Sequence, residues 1–539
     1  MLARDLFSAN YSGLPRHVER NCHPGPQYPA PQRYCHATPT ALNSLPVRVE
    51  MYLFTGDGLW GIAPMAYNAY RILVTAACTV AVLASTLFVD PLHAQQAPSA
   101  SLYGGPLLDR STLTGNWGGA RDDLAAQGIT ITPSVTQFYQ GPTAGNTDQQ
   151  FEYGGKAEAF LNIDFTKLGL WNGFAMQVHG EYNFGKTPGA TVGGTTIPNN
   201  TAMSFPYENK AGGDLTSVYF SQRFGSNFTL LAGKINIFDL YASGQKFNGG
   251  RGIESFWNTA FVGPPTGIVP VAMFGAIGIL KINPLTFTLM VYDPTDALNH
   301  TGFEDPFSAG VTVKGSVELS SKLFGLPHKD NISVAISSEK GTDFTTLPDL
   351  GNFANTADFR NALIQALITR AMWGQDARIY LPPQMLLSSS PPSEKRGRYW
   401  VGYSFEQTLW QSPANPTKAW GLFGQVAFSD GNPNMWKWSA LGGVGGTSPL
   451  PGRPNDKFGV GVFYYGYANE LKQHLDPLIT LGDEYGAELF YNFAITKWFR
   501  VTADLQVIAP AIKSQLIAPQ TTANNPTVVL LGLRAQVTF

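Results

Sequence analysis

The final eleven residues, Val529 to Phe539, alternate in character. Val529, Leu531, Leu533, Ala535, Val537 and Phe539 are apolar, while Leu530, Gly532, Arg534, Gln536 and Thr538 between them are mostly small or polar. Successive strand side chains point to opposite faces, so the spacing predicts a strand with one greasy face and one wet face. The same beat recurs upstream. Ala157, Ala159, Leu161, Ile163 and Phe165 interleave with Lys156, Glu158, Phe160, Asn162 and Asp164. Phe174, Met176, Val178, Tyr182 and Phe184 interleave with Gln177, His179, Glu181 and Asn183, and Phe499 to Val507 alternates with Arg500, Thr502, Asp504 and Gln506. Glu488 and Asn492 mark the wet side of another such run. A charged side chain set against lipid costs several kcal/mol, so in a membrane the polar set must face a wet interior.

About sixteen segments carry this pattern. They are 129–139, 156–166, 173–184, 214–223, 228–235, 271–282, 284–292, 308–319, 331–338, 398–410, 418–428, 433–443, 457–467, 484–493, 498–508 and 526–539. The connections after the second, fourth, sixth and fourteenth are tight, whereas 185–213, 236–270, 339–397 and 509–525 are long. Short turns at one end and long loops at the other are the mark of an outer-membrane barrel. Against this pattern, 320–330 and 444–456 read as long for turns and 429–432 as short for a loop. The expected fold is all-β: a transmembrane antiparallel β-barrel of about sixteen strands, with a short N-terminal helix and inward-folded loops. A secreted β-sandwich would also alternate, but it seldom needs so many long strands in one unit.

Composition sharpens this. Of 539 residues only 14% are charged, 12% are aromatic and 57 are glycine, with a net charge of −2. A nucleic-acid partner is excluded, because it would call for a basic excess. Residues 1–64 read as a Pro-rich leader ahead of a true start at Met65 or Met51, and 65–94 as an export signal. Arg71 is its basic end, Ile72–Val89 its apolar run and Ala94 the small residue at the cut. The three cysteines, at 22, 35 and 78, all precede that cut and fit no common zinc spacing. No metal and no cofactor is expected. Past the signal no stretch approaches 18 apolar residues, so a spanning chain must close as a barrel in which every backbone group is paired.

Residues 95–128 read as a periplasmic segment ahead of a barrel at 129–539. In "GNWGGARDDLAAQG" Asn116 is placed to cap a short helix, Asp122 and Asp123 suit its first turns and Gly128 closes it. Trp117, Ala120, Leu124 and Ala125 would form its apolar face. The stretch "TADFRNALIQALITRAMW", inside the long outer loop 339–397, also has helical spacing. It suits a helix folded into the mouth, or one that binds a partner.

Three stretches carry a resemblance. "LTGNWGGARDDLAAQGI" at 113–129, "DLTSVYFSQRFGSNFTLLAGKINIFDLYA" at 214–242 and "FWNTAFVGPPTGIVP" at 256–270 resemble blocks of the carbohydrate-selective, OprB-type porins. The resemblance spans roughly 108–539. It implies a 16-stranded barrel in a bacterial outer membrane that admits glucose and other sugars by facilitated diffusion. The terminal Phe539 resembles the ending through which outer-membrane barrels meet the barrel-assembly machinery. The length of 339–397 departs from the family and leaves open whether that loop plugs the pore.

A barrel of this size leaves an aqueous channel, and what narrows it sets its selectivity. The loop 236–270 is long, Gly-rich and aromatic, with Asp239, Lys246, Arg251 and Glu254 close together. Sugar hydroxyls donate and accept over apolar ring faces, so mixed charges, amides and aromatic rings suit them. An anion pore would carry one sign. Parity places Glu158, Asp164, His179, Glu181, Lys234, Arg398, Glu406, Glu488, Asp504, Arg534 and Gln536 on the wet wall, with neither sign dominant. Lys234 and Arg251 flank the expected constriction. Trp257 is either a stacking platform for sugar or an anchor for the loop. Tyr139, Phe184, Tyr399, Trp410, Tyr491 and Phe539, near strand ends, read as girdle aromatics at the membrane lipid. No nucleophile elbow, zinc-protease helix or phosphate loop occurs, so no enzyme activity is expected. A general diffusion porin and a plugged barrel acting in adhesion remain as alternatives, with a barrel hydrolase the remotest of them, and the chain alone suits a monomer or a homotrimer.

Overall fold

The computed structural model describes residues 101–188, 192–206, 213–249, 251–263, 265–347, 393–476, 479–518 and 521–539. The leader, the export signal and the helix-like stretch within 339–397 lie outside them.

Sixteen strands form one closed antiparallel barrel. In chain order they are β1 (Ile129–Ala144), β2 (Glu152–Asp164), β3 (Phe174–Gly185), β4 (Gly213–Phe224), β5 (Phe228–Asn236), β6 (Ala272–Ile282), β7 (Leu285–Tyr292) and β8 (Thr312–Leu323). They continue as β9 (Leu326–Ser337), β10 (Arg398–Gln411), β11 (Ala419–Ser429), β12 (Trp436–Thr447), β13 (Lys457–Tyr467), β14 (Glu484–Ala494), β15 (Phe499–Ala509) and β16 (Val528–Thr538). Each pairs with its chain neighbour, and β1 pairs with β16 from Ser134↔Thr538 to Ala144↔Val529, so no edge is left open.

Alternation holds along the wall. On β16 Leu531 and Leu533 face outward, 42% and 55% exposed, while Leu530 and Arg534 are buried inside. Tyr139, Tyr399 and Trp410 are exposed on the outer surface, as girdle aromatics would be. Two connections are shorter than their sequences suggest. β8 and β9 extend until Leu323 pairs with Leu326, leaving only Phe324 and Gly325 as a turn. Both turn residues have positive φ, 55° and 78°, the mirror-image geometry that matches strand twist. β12 likewise runs on to Thr447, which leaves 448–456 as the turn.

The N-terminal helix α1 (Ala120–Ala126) follows a 3-10 turn at Trp117–Gly119. Asn116 makes no side-chain cap; Gly119 occupies the N-cap position with φ 106°, and Gly128 follows the helix at φ 97°. Of the four apolar positions only Ala125 is buried, and the other buried residue is Arg121. Arg121 donates to the Phe539 O (2.8 Å), the Ile131 O (2.7 Å) and the Thr112 Oγ1 (3.0 Å). Its guanidinium lies 4.2 Å from the Tyr103 ring centre and 4.8 Å from that of Trp117. The segment thereby grips the end of β16 where the barrel closes.

Long connections gather at the opposite end. One holds α2 (Thr201–Ser204), between β3 and β4. The connection between β5 and β6 holds α3 (Ile237–Gly244) and α4 (Thr259–Val262). Asn236, Asn258 and Asn200 cap α3, α4 and α2 by accepting from backbone N–H groups two or three residues on. A further connection holds α5 (Asn469–Leu475), and 479–481, 512–518 and 521–524 form a small separate sheet.

Candidate functional site

The connection 237–271 folds into the lumen. Besides Phe238 on α3, its aromatic residues Phe247, Phe256, Trp257 and Phe261 are buried, each contributing ~2 kcal/mol or more by burial. They fit because the facing wall lacks side chains. A Cβ at Gly421 would stand 2.6 Å from Phe247, one at Gly459 2.7 Å from Phe256, one at Gly461 2.6 Å from Phe261 and one at Gly532 2.6 Å from Trp257. Glycine allows this close approach. Phe256 stacks on Phe261 (4.4 Å) and meets Phe490 edge-on (4.9 Å). Trp257 meets Phe138 edge-on at 5.4 Å and has no exposed surface, so its ring holds the loop to the wall.

Wall charges complete the attachment. Glu488 accepts from the backbone N–H groups of Trp257 (2.5 Å) and Asn258 (3.0 Å). Glu406 does the same for Lys246 (2.8 Å) and Phe247 (3.1 Å). Arg534 donates to the carbonyls of Gly252 (2.6 Å) and Ser255 (3.1 Å) and lies over Trp257 at 5.0 Å. Asp504 accepts from Gln506 (2.9 Å), which also donates to the Asn199 carbonyl (2.9 Å). Glu484, which shares the inward face with Glu488 by parity, accepts from Thr196 (2.7 Å), Ile197 (3.1 Å) and Ala511 (3.2 Å). A carboxylate that accepts two N–H groups makes charge-assisted bonds, stronger than neutral ones.

On the adjoining stretch of wall, across the β1–β16 seam, β1–β4 carry an ion-pair cluster. Both ring nitrogens of His179 lie against carboxylates: Nδ1 is 2.9 Å from Asp239 on α3 and Nε2 3.2 Å from Glu158. Lys156 binds Glu181 at 2.5 Å and the Phe205 carbonyl at 2.6 Å. Arg251 reaches across from the loop to Glu158 and to Asp239, 3.2 Å from its Nε. The Arg251 guanidinium lies 4.5 Å from the centre of the Phe160 ring, which is itself stacked on His179 at 3.8 Å. The Arg251 backbone has φ 69°, uncommon for a residue with a side chain. Glu158, His179 and Glu181 stand close enough for their ligand atoms to share an ion, but Arg251 and Lys156 already compensate those carboxylates.

The wet-wall residues named from sequence therefore divide. Glu158, His179, Glu181, Asp239 and Arg251 come together. Lys246 is exposed and donates to the Pro416 carbonyl (3.4 Å), and Glu254 pairs with Lys457 at 2.6 Å, both partly exposed. Glu406, Glu488, Asp504, Arg534 and Trp257 belong to the loop attachment. Lys234 is buried, bound to Asp214 (3.1 Å) and the His300 carbonyl (2.7 Å). Arg398 pairs with Glu339 at the loop end and joins neither group. Lys156, Lys457 and Glu484 were legible as inward positions by parity, but nothing in the chain marked which loop each would meet. Asp296, in the connection after β7, accepts from the N–H groups of Val271 (3.2 Å), Ala272 (3.2 Å) and Leu298 (2.9 Å). Burial pushes its carboxyl up to about 6, against those donors.

A closed sixteen-strand antiparallel barrel with a connection packed into its lumen has the architecture of a porin. The model of the carbohydrate-selective porin, OprB family, matches residues 148–539, and the chain belongs to that family. The fold is similar to that in the high pH structure of Pseudomonas putida OprB, with TM-score 0.60 and 19% identity over 80% of this chain and 99% of that one. The low pH structure of the same protein is matched at TM-score 0.44 and 14% identity, over 80% and 99%. The outer membrane channel DcaP of Acinetobacter baumannii is matched at TM-score 0.42 and 9% identity, over 76% and 97%. No curated protein matches the chain. Family and fold place it as a sugar porin of a Gram-negative outer membrane.

Proposed function

We propose that the barrel passes glucose and other small neutral monosaccharides by facilitated diffusion, with 237–271 as its constriction. The short-turn end, with α1 and Phe539, lies in the periplasm, and the long connections face outward. The observation that carries this reading is the mixed-sign aperture at Arg251. There the loop's guanidinium packs against wall carboxylates, an imidazole and the Phe160 ring. The cluster fixes the Arg251 guanidinium, 23% exposed, as a donor to a passing polyol, and its balanced charges leave no net field to drive a simple ion. The pore lowers a barrier and concentrates nothing.

Liposome swelling with the refolded mature barrel tests it. Glucose is expected to enter faster than a neutral amino acid or a charged solute of similar size. Equal rates would establish a general diffusion pore instead. No swelling from folded barrels would favour a plugged barrel that acts in adhesion.

A further inference from the structure

Strand register resolves the β1–β4 wall into rows. Ser134, Glu158 and Glu181 form one; Thr132, Phe160, His179 and Ser217 form the next toward the short-turn end; Thr130, Asn162, Gln177 and Tyr219 form the third. Inward-facing rows two residues apart are separated by about 6.6 Å. The third row therefore lies about 13 Å beyond Glu158, one step past the Phe160 ring that Arg251 covers.

The rows differ in what the protein leaves free. Glu158, Glu181 and His179 are all bonded within the cluster, as described above. Thr130, Asn162, Gln177, Ser221, Arg223 and Thr229 line a single cavity of about 480 Å3, with Tyr219 and α1 at its sides. None of these six side chains has a hydrogen-bond or ion-pair partner among the described residues. Two amides, three hydroxyls and one guanidinium, with Asp164 and Lys167 of opposite sign also in the lining, thus converge on a space large enough for a small sugar. Amides and hydroxyls both donate and accept, and the Tyr219 ring adds an apolar face. A simple ion uses one polarity, whereas a sugar ring uses all three features.

We propose that this cavity is a second carbohydrate subsite, in series with the constriction on its periplasmic side. A hexose leaving Arg251 and Phe160 is received by Asn162 and Gln177, which hydrogen-bond its hydroxyls, with Arg223 and Thr229 at the exit. A weak site there shortens the barrier between the narrowest point and bulk water, because each hydroxyl exchanges one partner for the next instead of being stripped. The proposal rests on the sugar-pore reading above.

The test is glucose influx into proteoliposomes as a function of concentration, for wild type and for the Asn162→Ala/Gln177→Ala pair. Folding of each is verified by heat-modifiable mobility on gels. Two lost hydrogen bonds raise the half-saturating glucose concentration about tenfold. Arg223→Gln, which keeps a donor, should move it less. An unchanged half-saturation in the folded double variant overturns the subsite while leaving the sugar pore standing. Absence of glucose entry in wild type overturns the sugar-pore reading itself. Should the pair fail to fold, Asn162→Ala alone gives the same comparison at about threefold.

Discussion

At the residue scale Arg251 joins loop to wall. It neutralises part of a cluster that otherwise holds Glu158, Glu181 and Asp239 against Lys156 and His179. Arg251→Ala should leave the barrel folded, widen the aperture and give it negative character. One unit charge about 4 Å from a permeating ion is worth about 1 kcal/mol even in water. Cation over chloride permeability should therefore rise about fivefold, read from the reversal potential across a bilayer in a salt gradient, with weaker discrimination of sugars. Unchanged conductance, selectivity and sugar block would remove Arg251 from the constriction. Parity from sequence found the inward side of every cluster member on the strands. It did not reveal that Glu406, Glu488 and Arg534 bind loop backbone, because parity gives a face but not the partner that fills it.

At the scale of elements, the seating of the connection 237–271 in the lumen depends on glycines as much as on the loop's own residues. Glycine recurs in β12 as "GGVGG" and in β13 as "GVGV", and without side chains such runs leave room for a close approach. In the fold the bare backbone of the wall receives the rings of Phe256 and Phe261. Gly459→Val should collide with Phe256 and Phe490, whose atoms lie 2.7 and 2.4 Å from the new Cβ. Overpacking of this kind costs about 1–3 kcal/mol. The sixteen strands should persist while the loop lifts, seen as altered, noisier single-channel current with wild-type strand content by circular dichroism. A wild-type channel trace would show that the loop tolerates displacement from this wall. Two hairpins were misjudged in length from sequence because the alternation weakens near their turns. There Ser320, Ser321, Lys322 and Pro327, His328, Lys329 carry no apolar beat, yet pair regularly.

At the scale of the whole molecule, closure is the decisive event, and α1 stands at the seam. Arg121 bonds the last residue of the chain while Leu113 N–H donates to the Thr538 carbonyl at 2.8 Å. Arg121→Ala leaves buried acceptors unpaired, a cost of about 1–3 kcal/mol. The temperature at which the folded, fast-migrating form converts to the slow form on gels should fall, and Arg121→Lys should recover part of it. An unshifted conversion temperature would show that the seam is held by strand pairing alone.

The sequence by itself determined the barrel, its strand number and the inward face of its wall charges. Those follow from local periodicity and from the rule that a chain in lipid must pair every backbone group. Only the tertiary structure decided which wall residues hold the loop and which stay free. Contacts such as Glu488 with Trp257, Gly532 with the same indole, and Arg121 with Phe539 join positions hundreds of residues apart. No local pattern encodes such distances, because they are set by how the barrel closes and how the loops fill it.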